Sequence, residues 1–120
     1  MGHKIVKKSG QVFVRDTDAT GRVFCPRPIE WVIEAFEREC YHSAHENEGV
    51  VIVKASVQYF IPFKWFDIYE MELAIHRVGN RSFDLLATIT KGEEKAIGVE
   101  LTFVVEGSAL EFLKRYWDKN

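Results

Sequence analysis

Apolar residues recur along this chain at two different spacings, and the change from one to the other marks its elements. Ile29, Val32, Ile33, Phe36 and Cys40 fall three and four apart, with Glu30, Glu34, Glu37, Arg38 and Glu39 between them. That period predicts one long amphipathic helix from about Pro28 to His45. A proline in its first turn gives up only an amide that a helix start leaves unbonded. Asn47, Glu48 and Gly49 supply the stop, because such residues tolerate the left-handed conformation that closes many helices. Elsewhere β-branched and aromatic residues run without helical period. They predict strands over Lys4–Val14, broken or bulged near Ser9 and Gly10, and over Val50–Phe60, Ile68–Val78, Ser82–Lys91 and Lys95–Val105. Gly79-Asn80 and Lys91-Gly92-Glu93-Glu94 join the last three as hairpins. Ser108 and Glu111 form a capping-box pattern ahead of Phe112, Leu113, Tyr116 and Trp117, so a short helix ends the series.

One strand, one helix and an antiparallel meander make an α+β plan, in which a five-stranded sheet buries one apolar face against the helix. Such a sheet leaves long edges with unpaired backbone groups, and pairing with a second copy removes them. A chain of 120 residues fits a single domain over 1–120 and buries roughly two thirds of the surface its unfolded form exposes. The net charge of −2, with signs interspersed, gives no footprint for nucleic acid or an anionic membrane. A small molecule or a protein is left as the partner. No apolar run approaches the roughly 18 residues of a membrane helix. The start Met-Gly-His-Lys is neither a signal peptide nor, with Val6 where Ser or Thr is required, a myristoylation site, and a cytoplasmic protein is expected.

Cys25 and Cys40 have neither metal-ligand nor disulfide spacing. Cys40 reads as a small core residue. Cys25 stands at a helix start, where the dipole favours thiolate, but no motif pairs it with a base. His42, His45 and Glu46 fall at helical spacing that could hold a metal on one face, but they read as a solvated helix end, where basic groups suit the dipole, and no metal site is expected.

Candidate chemistry concentrates in Asp16-Thr17-Asp18-Ala19-Thr20-Gly21-Arg22-Val23-Phe24-Cys25-Pro26-Arg27-Pro28, two carboxylates and a glycine directly before the long helix. By residue types alone this is a solvated Asp-rich turn that caps a helix. By order, Asp-Thr-Asp-Ala-x-Gly-x-Val-aromatic, followed by a helix with Trp31 in its first turn, resembles the active-site segment of the hotdog-fold acyl-CoA thioesterases of the 4-hydroxybenzoyl-CoA type. Val57-Gln58-Tyr59-Phe60-Ile61-Pro62 is similar to that family's strand-ending aromatic-x-x-Pro, Asp67-Ile68 to its strand start, and Val78-Gly79-Asn80-Arg81-Ser82-Phe83 to its Gly-x-x-Ser turn. The resemblance runs from about Gln11 to Val105 and implies a hotdog fold assembled as a dimer or tetramer, with active sites between subunits.

The same resemblance implies the roles. Asp18 matches the catalytic carboxylate, as nucleophile or as general base on water, and the backbone N–H of Cys25 matches the oxyanion donor. Gly21 lets the loop turn tightly and approach substrate. Asp16 belongs to the turn, bonding amides two or three residues on. The acyl pocket falls to Phe24, Val57 and Tyr59, and the coenzyme A phosphates to Arg81 with Ser82, ahead of Lys91 and Lys95. The substrate is then an acyl- or aryl-thioester of coenzyme A or of acyl carrier protein, with no cofactor.

The departures concern specificity. Cys25 stands where short-chain members carry His and aryl members Tyr, and Pro26-Arg27-Pro28 stiffens the helix start. Phe66 replaces a frequent Gly, so the turn before Asp67 is expected to change form, with Trp65 and Phe66 exposed for assembly. A hydratase pairs its acid with a nearby His, and none follows Asp18 before His42. A hotdog domain that binds an acyl ligand or a protein without turnover is the competing reading.

Overall fold

The computed structural model describes residues 5–40 and 49–118. Its strands are β1 (Val6–Gln11), β2 (Val50–Tyr59), β3 (Ile68–Val78), β4 (Ser82–Lys91) and β5 (Glu94–Val105); its helices are α1 (Arg27–Glu39) and α2 (Ala109–Tyr116). The five strands form one antiparallel sheet in the order β1-β3-β4-β5-β2. The β3–β4–β5 hairpins make its middle. The strands on either side of α1 in sequence therefore occupy opposite edges, and α1 links one edge to the other.

Strict alternation produces the core. Met71 and Leu73 of β3, Phe83, Leu85, Ala87 and Ile89 of β4, and Ile97, Val99, Leu101 and Phe103 of β5 are buried on one face. Glu70, Glu72, Asp84 and Glu100 occupy the alternate positions, as in an antiparallel sheet with one solvated side. Against the apolar face α1 buries Pro28, Trp31, Val32, Ala35 and Phe36. Ile29 and Ile33, expected on the buried face, are only partly covered, because Trp31 turns the helix towards the sheet by stacking on Tyr69 at 4.4 Å. Phe36 packs 4.7 Å from Phe103 and 5.6 Å from Trp117, which closes the far end of the core beyond α2. Ser108 caps α2, its hydroxyl accepting the Glu111 N–H at 3.3 Å.

Two expectations near β1 are corrected. There is no bulge at Ser9 and Gly10: the register runs unbroken from Val6 opposite Leu73 to Gln11 opposite Ile68. Gly10 is there for space, since a Cβ would stand 2.3 Å from the ring of Tyr69. The strand also stops at Gln11 rather than Val14, because the Asp16 carboxylate accepts the Phe13 N–H and folds Val14–Asp16 into a 3₁₀ turn.

A third correction concerns Phe66, which keeps a left-handed backbone with φ of +67°. The turn has not changed form. The Phe66 N–H donates to Val12 O at 2.7 Å, and the Asp67 carboxylate accepts the Lys64 N–H at 2.8 Å, so neighbours on both sides hold it. The rings of Trp65 and Phe66 are exposed, as expected. The continuation expected beyond Cys40, the expected stop at Asn47-Glu48, and His42, His45 and Glu46 fall outside the described residues, within which α1 ends at Glu39. Among those described, no helix is long and apolar enough to cross a membrane.

Candidate active site

The loop between β1 and α1 separates its two acids by their surroundings. Asp16 is 5% exposed, with one oxygen on the Phe13 N–H at 2.8 Å and the other 3.2 Å from Arg27 Nε. Arg27 in turn reaches the Arg15 carbonyl and the Glu30 carboxylate, each at 2.8 Å. Asp16 thus fastens the loop to the start of α1. Its amide partner lies three residues before it rather than after it, because the 3₁₀ turn curls back.

Asp18 faces solvent at the tip of the same loop. A bridge between Thr17 and Val23 closes the loop's base. Within it Asp18 N–H donates to Arg22 O at 2.8 Å and Gly21 N–H to Asp18 O at 3.1 Å. Gly21 has φ of +82° with open space where a Cβ would be, so its conformation, rather than a close approach, requires glycine. Asp18 Oδ1 accepts the Thr20 N–H at 2.8 Å and the Thr20 hydroxyl at 2.5 Å, while Oδ2 has no partner among the described residues. The Thr20 hydroxyl and then its amide hold the Asp18 carboxyl below the ordinary range for Asp, so the group is an anion at neutral pH with one oxygen available.

The start of α1 supplies a single donor. Pro26 and Pro28 have no N–H, that of Arg27 donates to Phe24 O at 2.8 Å, and that of Ile29 to Pro26 O at 3.1 Å. The Cys25 N–H is left without a partner among the described residues. Asp18 and Cys25 line a common cleft of about 630 Å³ with Thr20, Arg22, Val23 and Tyr59, closed on one side by Phe60-Ile61-Pro62-Phe63. Tyr59 donates its hydroxyl to the Cys25 carbonyl oxygen.

The structure brings together Asp18, Cys25 and Tyr59 from the set expected by sequence, with Gly21 turning the loop beside Asp18 rather than lining the cleft. It does not bring in Phe24, whose ring is exposed outside the cleft, or Val57, which sits on the core face of β2 opposite Val99. Arg81 and Ser82 stand at the other end of the sheet. The Arg81 carbonyl accepts Val105 N–H, whereas Tyr59 pairs with Ile97, so within one chain about 26 Å of β5 separates them at 3.3 Å per residue. Arg81 Nη2 donates to Glu106 O at 2.8 Å, and Ser82 Oγ accepts Arg77 Nη2 at 3.2 Å beside the Arg77–Asp84 ion pair. Lys91 pairs with Asp67 at 3.0 Å, and Lys95 lies 5.1 Å over the Phe60 ring at the cleft wall. Thr20, Arg22 and Phe63 were not singled out by sequence. The Asp-x-Thr spacing of an Asx turn was the available signal for Thr20.

This architecture is the hotdog fold. No protein-family model matches the chain, and no curated protein matches it by sequence. Solved structures do match it, and several of them are named as thioesterases. The chain superimposes on a gentisyl-coenzyme A thioesterase with a TM-score of 0.77 at 23% identity, covering 85% of this chain and 89% of that one. It matches a probable thioesterase from Escherichia coli with a TM-score of 0.76 at 20% identity, over 91% and 92% of the two chains. A variant of 4-hydroxybenzoyl-CoA thioesterase, complexed with 4-hydroxybenzoyl-CoA, matches with a TM-score of 0.70 at 15% identity, over 84% and 83%.

Proposed function

We propose that this chain hydrolyses the thioester of an acyl- or aryl-CoA to the free acid and coenzyme A. The observation that carries the reading is the pairing, in one cleft, of the Asp18 carboxylate with a free Cys25 N–H. Thioester hydrolysis needs an activated water or nucleophile on one side of the carbonyl and a donor where its oxygen gains charge. Asp18 Oδ2 is the free anionic oxygen, and the Cys25 amide is the donor. Either Asp18 attacks the carbonyl carbon, expelling the thiolate and forming an anhydride that water cleaves, or it takes a proton from the water that attacks. The Val23, Ile61, Pro62 and Phe63 wall gives the acyl group an apolar surface.

The neighbours named as CoA thioesterases, together with one solved in complex with CoA from Staphylococcus aureus at a TM-score of 0.73, support coenzyme A as the carrier. We place Arg81 at its phosphates in a site completed by a second copy of the chain. A hydrolysis screen over acyl-CoA chain lengths, aryl thioesters and acyl carrier protein thioesters tests the reading. Thiol release from at least one class is expected. Binding of acyl-CoA without release from any of them replaces it with the ligand-binding alternative.

A further inference from the structure

The residues around the free amide of Cys25 are arranged as if one carbonyl had to be neutralised there. Cys25 N–H and Cys25 C=O flank a single Cα, at the mouth of the cleft that holds Asp18. A carbonyl oxygen carries partial negative charge, so one left bare beside the amide would oppose an oxyanion forming there. Pro26, which follows it, has no N–H to offer, and the Arg27 N–H is taken by Phe24 O. Among the described residues, the group that meets the Cys25 carbonyl is the hydroxyl of Tyr59, the last residue of β2.

Tyr59 is suited to that task. Its backbone is fixed in the sheet opposite Ile97, so the phenol reaches the α1 loop from a rigid base. Burial first, and then the neighbouring Cys25, push its proton affinity well above the ordinary range for a tyrosine. The hydroxyl therefore keeps its proton, and stays a donor, at neutral pH where Asp18 is ionised. Asp16 and Arg27 fasten the loop from the β1 side, and Trp65 Nε1 donates to Thr17 Oγ1 at 2.9 Å near its base; Tyr59 is the anchor that acts at Cys25 itself.

We propose that Tyr59 is a positioning residue, whose hydroxyl holds the Cys25 carbonyl so that the adjacent Cys25 N–H is presented to the thioester oxygen. This rests on the reading of the Cys25 amide as the oxyanion donor. It gives Tyr59 a role in the transition state, distinct from the acyl contact that its place in the sequence implied.

Tyr59→Phe keeps the ring and removes only the donor. The test measures kcat and KM on the best thioester, and affinity for two acyl-CoA analogues. One is a trifluoromethyl ketone, whose hydrated carbonyl presents a tetrahedral oxygen; the other is a thioether without a carbonyl. The expected result is a kcat loss of about tenfold to a hundredfold with KM within about twofold, below the 10² to 10³ that follows outright removal of an oxyanion donor. Affinity for the ketone should fall by the same factor as kcat, and affinity for the thioether should not change. Placing p-aminophenylalanine at position 59, which restores a donor on the same ring carbon, should recover most of the loss. An unchanged kcat overturns the proposal. So does a raised KM with both analogues weakened, which makes Tyr59 an acyl contact. Wild-type protein that hydrolyses no thioester overturns the underlying reading instead, and that outcome is visible before any variant is made.

Discussion

At the residue scale the site depends on which of two neighbouring acids is left free. Asp16 and Asp18 have the same side chain two positions apart, and residue type alone does not separate them. Order did, through the match of Asp18 to a known motif, but Asp16's grip on Phe13 and Arg27 depends on a backbone curl that a one-dimensional pattern does not carry. Thr20 was missed although its Asp-x-Thr spacing was there to be read as an Asx turn. Its hydroxyl and amide set the Asp18 carboxyl, which leads to a pH prediction. With Thr20→Val the hydroxyl donor is lost and the Asp18 pKa rises towards its ordinary value. The anion is the active form, so the acid limb of the kcat/KM profile should move to higher pH, leaving the plateau above it nearly unchanged. A profile measured from the acid side checks this, and an unmoved limb contradicts the assignment of Asp18 as the titrating group.

At the element scale the sequence was most legible where local rules suffice. β3 and β4 begin and end where expected because hairpin turns and alternation are short-range signals. The end of β1 was misjudged for a local reason, the Asp16 carboxylate on the Phe13 N–H, whereas two other errors fall where a residue answers to a distant segment. Gly10 suggested a bulge, but its partner is the Tyr69 ring across the sheet, 59 positions away. Phe66 was expected to force a new turn, yet the hydrogen bonds of Val12 and Asp67 hold the left-handed backbone against the preference of its Cβ. A non-glycine residue in that region costs about 1 to 2 kcal/mol, and the exposed Phe66 ring regains little of it. Phe66→Gly should therefore stabilise the fold by up to about 1 kcal/mol after the greater flexibility of the unfolded chain is counted. The urea midpoint should rise at constant m-value. A lower midpoint would show that the aromatic ring is covered in solution.

At the scale of the whole molecule the two edges of the sheet differ. β1 is short and carries Lys7 and Lys8, devices that discourage pairing, whereas β2 runs for 10 residues with Val51 and Val53 exposed. A second copy pairing antiparallel along β2 would bring its Val50 end beside the Tyr59 end of the first, and with it the sheet end that carries Arg81. Light scattering should accordingly give at least twice the 13.9 kDa of one chain. A monomer at micromolar concentration with full turnover contradicts the shared site. In the same assembly Arg81→Ala should raise KM for acyl-CoA by about tenfold, as for a charge-assisted contact, and leave the KM of a short acyl-pantetheine, which lacks the nucleotide phosphates, unchanged. Equal effects on both remove Arg81 from phosphate recognition. The distance between Arg81 and Asp18 within one chain was not legible in the sequence, since it follows from strand order, which long-range pairing decides.

The proposed hydrolysis depends on the Asp18 carboxylate, and removing that anion tests it most directly. Asp18→Asn is nearly isosteric, keeps an oxygen for the Thr20 donors and loses only the anion. The kcat on the best acyl-CoA should fall by at least the 10² to 10⁴ that general-base help supplies, while circular dichroism and acyl-CoA binding stay near wild type, because the Cys25 amide still meets the carbonyl. Retention of more than about a tenth of wild-type kcat, outside that range, would contradict the mechanism and with it the assignment of this cleft as a thioesterase site.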